Sequence, residues 1–331
     1  MSKYGKTGIT FLEMIAQLLF GHFFNFASFA TLGVSSLNIR GNIFGATAIF
    51  LFALGFPAAD QLLQTWGIMA LIALRNLLAL MVMMFLIFLL EHNVSLQKLP
   101  WMKGFWIGGI GFGFGSLLLL IAQAMTDATT AALAAAAMPV FAIGLEVALD
   151  GRRLSGRFLL AVALVLFGGA LAAGVIPGKS SFGTGFALGL FASGIFAWGS
   201  RETVKSFPTL SPLSRTAITT SGMFGFTAIP CVAAMFFEHS WSTVGSVDIS
   251  NMGLLFVYAC LALGLSQVFW IKAVDDVGIG IASFHLNATP FYVMIIVFIL
   301  GSEWNWMQTV GAAVLTVGTL LAQLPEKRSN H

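Results

Sequence analysis

The sequence predicts an all-α integral membrane protein with about ten transmembrane helices in two inverted five-helix repeats, plus an N-terminal apolar helix. Of its 331 residues, 58% are hydrophobic and 9% are charged, whereas a soluble domain carries roughly 25% charged residues. Apolar runs long enough to cross a bilayer follow one another with short polar breaks. Two stretches of sequence, one in each half of the chain, are also alike. The composition and the long apolar runs together predict a chain that is surrounded by lipid rather than by water.

Each apolar run predicts a helix because a bilayer leaves no backbone group unpaired, and these runs are too long and evenly apolar for barrel strands. The first five helices form one predicted repeat over 43–176, and the last five form another over 180–324. The predicted helices begin at Ile43, Gly67, Met102, Ala128, Phe158, Phe182, Pro212, Met252, Gly278 and Met307.

The distribution of Lys and Arg predicts the orientation, since short cytoplasmic loops collect cations. With both termini inside, the outer loops receive only Lys179 and carry acidic residues such as Asp127 and Glu303. We therefore expect a multi-pass protein of the inner (cytoplasmic) membrane. The inner side receives Arg40, Lys98, Lys103, Arg152, Arg153, Arg157, Arg201, Lys205, Arg215, Lys272, Lys327 and Arg328.

The N-terminal segment, residues 1–40, is harder to place. Its apolar stretch 9–34 is long enough to span, but a spanning helix would put Lys3 and Lys6 outside, against the orientation of every other loop. We predict a helix in or on the inner leaflet, with an extra spanning helix as the alternative. Residues 325–331 form a predicted cytoplasmic tail.

An internal duplication links the two halves. Residues 124–127, running on to 138–141, parallel residues 273–276, running on to 289–292. One unit holds five helices, so the second copy must enter the membrane upside down. Inverted repeats of this kind are typical of secondary transporters, because they supply two related conformations open to opposite sides.

The residues around this duplication identify a family resemblance. Asp127-Ala-Thr-Thr-Ala-Ala-Leu through Pro139-Val-Phe, followed by Gly151-Arg-Arg-Leu-Ser, resembles the drug/metabolite transporter superfamily with its EamA-type repeats. The resemblance covers roughly 43–323. It includes Ala73-Leu-Arg-Asn in the second helix and Ala197-Trp-Gly-Ser in the sixth.

The sequence departs from the family pattern at two places. Arg152 stands where the family usually has a glutamate, and Leu54-Gly55-Phe56 stands where a tryptophan is expected. The resemblance implies a permease that exports more often than it takes up, but these departures argue against copying a substrate from a relative.

Three ionisable side chains inside or at the ends of helices are candidates for function, because charge in a bilayer is expensive. Arg75 is predicted to bind a substrate carboxylate or to pair with Asp60, with a structural tie between helices as the alternative. Asp60 could exchange a coupling proton, or simply lie at the interface. Glu146 is more simply explained by a salt bridge with Arg152 or Arg153 than by proton transfer.

Other candidates are polar, aromatic or proline residues. His285 and Asn287 are predicted to line a central cavity because they would otherwise be unpaired in hydrocarbon. Pro139 and Pro290 are predicted to kink helices and act as hinges. The predicted substrate pocket also includes Trp198, Gln267 and Trp270, although Trp270 could instead anchor at the lipid interface. Four glycines predict tight packing of the third helix: Gly109, Gly111, Gly113 and Gly115.

The combined prediction is a secondary transporter that moves a small amphipathic solute, such as an amino acid or related metabolite, by alternating access. The substrate and membrane lipid are its expected partners, a proton is the candidate coupling ion, and a homodimer is open. We expect no nucleic-acid partner, since the cations are scattered among short loops, and no metal or cofactor, since neither metal-ligand spacing nor a nucleotide motif appears. Two alternatives remain: a non-transporting membrane scaffold, and an intramembrane enzyme, which the dispersed histidines disfavour.

Overall fold

A computed structural model describes residues 36–91, 94–151, 156–172 and 180–323. The predicted N-terminal helix at 9–34 and the tail at 325–331 lie outside these described residues. Within them, every regular element is helical. The helices are α1 (Ser36–Leu62), α2 (Ile68–Leu90), α3 (Trp101–Met125), α4 (Ala128–Ala136 and Met138–Asp150), α5 (Gly156–Ala172), α6 (Ser180–Ser206), α7 (Pro212–Phe236), α8 (249–282), α9 (Ser283–Ile299) and α10 (Trp306–Gln323).

The described part of the chain holds six helices long and apolar enough to cross a membrane. They contain 22 to 31 residues each, which matches the roughly twenty residues that span a hydrocarbon core. Shorter apolar helices lie at Gly156–Ala172, Ser283–Ile299 and Trp306–Leu321. Large side chains such as Phe88 and Phe167 are exposed on the outside of the bundle, where lipid solvates them. The chain is a multi-pass membrane protein.

Helices α4 and α9 are interrupted at corresponding places. Helix α4 breaks at Ala137, and Pro139 then lies in the first turn of its second segment. Helix α9 opens with a 3₁₀ turn over Ser283–Ala288, and Pro290 lies in the first turn of the α-helix that follows. Proline fits there because the first turn needs no backbone donor. The predicted kinks therefore take the form of helix restarts just before each proline.

Helices α3 and α8 both contain a wide, π-helical segment, at Gly109–Phe114 and Phe256–Leu265. In α3 this segment carries three of the four glycines predicted to pack tightly, and Gly115 follows it directly. A Cβ on Gly111 would lie only 2.5 Å from the Cα of Gly199 in α6. The tight approach is confirmed, but the π-helical geometry was not predicted, because it depends on the neighbours of the helix rather than on its own sequence.

The helices pack in pairs around a shared centre. Helix α1 packs along α8, α3 along both α6 and α7, α2 along α7 and α5 along α10. The largest buried cluster lies where these pairs meet, with Phe44, Phe112, Phe269 and Trp270 among its members. This arrangement brings the middle of α2, α3, α6 and α8 to one place, which is where the candidate site is found.

Candidate functional site

A cavity of about 80 Å³ lies at the centre of the bundle. Both halves of the chain line it, through α1 to α4 and α6 to α9, and its wall is mostly apolar. A cavity of this size is much smaller than the roughly 300 Å³ or more of a drug-sized ligand pocket. The lining residues that carry polar atoms or aromatic rings are Phe52, Arg75, Phe112, Ser116, Phe196, Ser200, Ser266, Gln267 and Trp270.

Arg75 provides the charge of this cavity. It lies in the eighth position of α2, roughly 10 Å along the axis by helical rise, and is 9% exposed. Its Nε donates to Oδ1 of Asn76 at 3.1 Å, and Nη1 donates to the hydroxyl of Tyr258 at 3.3 Å. Asn76 in turn donates to Oγ1 of Thr227 at 3.1 Å, so Arg75 rests on a contact between α2 and α7.

The guanidinium of Arg75 has no acidic partner among the described residues. Both of its hydrogen bonds go to neutral groups, and Nη2 makes none within the ranges described above. A buried cation without a carboxylate is costly in a low-dielectric interior. In the alternative interpretation, Arg75 only links helices. That interpretation accounts for the hydrogen bonds to Asn76 and Tyr258, but it does not explain why Nη2 donates no hydrogen bond within the described residues.

Asp60 lies at the end of α1 and is held by other groups. Its Oδ1 accepts from Nε2 of Gln123 at 2.6 Å, and its Oδ2 accepts from the backbone N–H of Ala128 at 3.2 Å. Gln123 also donates to the carbonyl of Phe56 at 2.7 Å. A second cavity, of about 30 Å³, separates this group from Arg75 and is lined by both Gln123 and Arg75. The structure therefore ties Asp60 to α3 and α4 and not to Arg75.

Gln267 and Trp270 lie in the wall of the central cavity. Nε1 of Trp270 donates to Oγ of Ser200 at 3.0 Å, which joins α8 to α6. Trp270 is 6% exposed, so the structure buries it instead of placing it at a lipid interface. The Nε2 atom of Gln267 is buried and has no hydrogen-bond partner among the described residues. The structure thus brings Arg75, Gln267 and Trp270 together.

Three predicted site residues lie elsewhere. Trp198 lines an apolar groove of about 700 Å³ between α4, α5 and α6. His285 shares a hydrogen bond of 3.0 Å with Oδ1 of Asn42, and Asn287 accepts one of 2.5 Å from Thr319. Both lie in the opening 3₁₀ turn of α9 rather than in the middle of a helix, because the chain breaks at Gly278 and the apolar helix starts later than predicted.

Glu146 is half-buried in the second segment of α4 and interacts with another residue. Its predicted partners Arg152 and Arg153 lie outside the described residues. Pro139 and Pro290 mark the helix restarts in α4 and α9, and their role as hinges stays a prediction.

An ion pair at the other end of the bundle was missed from the sequence. Nη1 of Arg215 donates to Oδ1 of Asp275 at 2.7 Å, and the guanidinium also donates to the carbonyls of Phe207 and Pro208. Arg215 is only 2% exposed. Arg215 is the fourth residue of α7, and a cation inside a predicted helix could have indicated a buried partner. From the sequence, Arg215 was assigned only to the cytoplasmic side. Lys272 and Asp276 form a second pair beside it.

Comparison with known proteins gives a family match for the first half of the chain. Residues 39–174 match the EamA-like transporter family. This match confirms the resemblance inferred from the sequence, and it points to a membrane transporter rather than an enzyme. The EamA-like stretch runs from α1 to the end of α5 and so includes Arg75, Asp60, Gln123 and Pro139.

A solved structure described as "Crystal structure of protein" is similar to this chain in fold. The identity is 18%, the TM-score is 0.63, and the match covers 85% of this chain and 96% of the other. The similarity therefore extends beyond the EamA-like stretch into the second half of the bundle. No curated protein matches the chain.

Proposed function

We propose that this protein is a secondary transporter that moves a small metabolite across the inner (cytoplasmic) membrane by alternating access. The observation that carries the proposal is Arg75, a buried cation with no acidic partner among the described residues, in a central cavity lined by both halves of the bundle. A fixed charge in such a place favours binding of a solute of opposite charge. The proposed binding residues are Arg75, Gln267 and Trp270.

The packing supports two inverted repeats of five helices. If α1 to α5 are exchanged with α6 to α10, the pair α1 and α8 becomes the pair α6 and α3, which also packs together. The pairs α2 with α7 and α5 with α10 each become themselves. The π-helical segments in α3 and α8, and the restarts in α4 and α9, also fall in exchangeable helices. A bundle with this symmetry can form two related conformations.

Two polar groups at opposite ends of the bundle are the proposed gates. Near the predicted outer side, Asp60 ties α1 to Gln123 of α3 and to the start of α4. Near the predicted inner side, Arg215 of α7 is paired with Asp275 of α8. Opening one group while the other stays closed would expose Arg75 to one side at a time. Pro139 and Pro290 lie where α4 and α9 would bend.

The orientation follows from the cations on the predicted inner side, with both termini cytoplasmic. Export is the proposed direction, because the family resemblance implies it more often than uptake. A proton is the proposed coupling ion, with Asp60 as its candidate carrier. Membrane lipid surrounds the exposed apolar side chains, and the same surface could hold a second copy of the chain.

The proposal is tested by counterflow in proteoliposomes loaded with a panel of amino acids and related metabolites. Purified protein should accelerate saturable exchange of at least one labelled compound over protein-free liposomes. An imposed pH gradient should change net flux if protons are coupled. Correctly folded protein that moves no compound on the panel would favour the scaffold alternative.

A further inference from the structure

The charge balance of the central cavity limits what can bind there. Arg75 contributes a fixed positive charge, and among the described residues that line the two cavities there is no carboxylate. Asp60 is bound to Gln123, which lines the second cavity, and both oxygens of Asp60 accept hydrogen bonds from Gln123 and Ala128. The cavity therefore offers a cation without an anion.

The hydroxyl groups of the wall are already oriented by other contacts. Ser116 donates to the carbonyl of Gly113 at 3.0 Å, and Ser266 donates to the carbonyl of Ala48 at 2.9 Å. Ser200 accepts from Trp270. None of these neutral oxygens compensates the full charge of an ammonium group that loses its water.

Two polar groups remain open to a ligand. Nη2 of Arg75 and the side-chain amide of Gln267 make no hydrogen bond within the described residues. A guanidinium can only donate, and it matches a carboxylate in shape and charge. The amide can turn to donate as well. Both groups line the same cavity and can donate to a carboxylate.

The rest of the wall suits an apolar body. Phe52, Phe112, Phe196 and Trp270 supply aromatic surface around the cavity. Aromatic faces can also attract a cation, but an ammonium bound here would share a small, water-poor space with the guanidinium of Arg75. Repulsion between the two charges is strong in such a space because little water screens it.

We propose that the substrate of this site is a small organic monoanion, with one carboxylate, an apolar and preferably aromatic body, and no amino group. This inference rests on the proposed transport function and narrows its substrate class. A zwitterionic amino acid would bring an ammonium for which the cavity holds no acidic partner. Arg75 and Gln267 would bind the carboxylate, and the aromatic side chains would enclose the body.

The test compares three compounds that share one phenylethyl body: 3-phenylpropanoate, phenylalanine and phenethylamine. Binding to the full chain in lipid nanodiscs is measured by calorimetry at neutral pH, which avoids passive leakage of weak acids and amines across liposomes. We expect the acid to bind at least about tenfold more tightly than phenylalanine, and the amine not to bind. Arg75→Gln should abolish binding of the acid, whereas the lipid-facing variant Phe88→Ala should retain it.

The outcomes separate this inference from the proposed function. Phenylalanine or the amine binding as tightly as the acid, or the acid failing to bind, overturns the monoanion assignment. If counterflow of some other metabolite is still observed, transport stands while the substrate class is wrong. If neither binding of the acid nor counterflow of any compound is found, both fail.

Discussion

Arg75 and Tyr258 meet in the centre of the bundle, with Nη1 of the arginine 3.3 Å from the tyrosine hydroxyl and the guanidinium carbon 4.9 Å from the ring centre. The contact joins α2 of the first half to α8 of the second. Tyr258 therefore holds the guanidinium in place while leaving it electrically uncompensated, which is what a site for an anionic solute requires.

Replacing Tyr258 by phenylalanine should weaken substrate binding without unfolding the protein. The ring stays, but the hydroxyl that orients Arg75 is lost, and a hydrogen bond of this kind contributes about 1 kcal/mol, or about fivefold in KM. Uptake kinetics in proteoliposomes measure the change. Tyr292→Phe is the matched control, because its ring packs edge-on against Phe50 and its hydroxyl makes no hydrogen bond to the described residues. Equal effects of the two variants would contradict this role for Tyr258.

Gly111→Ala should destabilise the protein by about 1–3 kcal/mol, because its Cβ would meet the Cα of Gly199 and force α3 and α6 apart. Thermal unfolding in detergent measures the loss. Gly253→Ala in α8 is the control, since a Cβ there meets nothing within 4 Å and alanine favours a helix. A stable Gly111→Ala variant would show that α3 and α6 are not in close contact.

The ion pair between Arg215 and Asp275 should show strong coupling. Asp275→Asn leaves the buried guanidinium with carbonyl partners only, and we expect a loss of about 2 kcal/mol. The double variant Arg215→Met/Asp275→Asn removes both charges and should recover part of that loss. Denaturant or thermal unfolding of the wild type, both single variants and the double variant gives the coupling energy. Simple additivity of the two single effects would contradict the pairing.

Asp248 should make stability depend on pH at the start of α8, in a loop outside the membrane-spanning segments. Hydrogen bonds from the backbone N–H of Asn251 and from Ser246 hold the pKa of this carboxyl below its usual range. A lowered folded pKa means that the stabilisation is present above the unfolded pKa and is lost as pH falls through the folded one. The stability difference between wild type and Asp248→Ala should therefore shrink in acid. A difference that stays constant with pH would contradict this assignment.

The sequence predicted several of the helix starts well, because each helix depends mainly on its own apolar run. The predicted starts at Met102, Ala128 and Pro212 lie within one residue of those observed. The prolines also indicated where α4 and α9 are interrupted, since a proline disfavours the helix before it. The family resemblance over the first half followed from short motifs and was confirmed by the match to residues 39–174.

Side-chain partners were predicted less well, because they depend on how each helix is rotated against its neighbours. A pairing of Asp60 with Arg75 was one of the two predicted roles of Arg75, but Asp60 is bound to Gln123 and Ala128. His285 was expected in midmembrane, but the break at Gly278, which has a φ of 80°, moves it into the first turn of α9. Tyr258 gave no sign of its role in the sequence, because a tyrosine in an apolar helix has no pattern that identifies its partner.

The most direct test of the account measures uptake of the compound that shows counterflow into proteoliposomes. Wild type, Arg75→Ala and the lipid-facing control Phe88→Ala are compared at equal amounts of reconstituted protein. The account predicts that saturable uptake is lost in Arg75→Ala while the protein stays folded, and that Phe88→Ala behaves as wild type. An Arg75→Ala protein that keeps the wild-type KM and maximal rate would contradict the claim that Arg75 binds the transported solute.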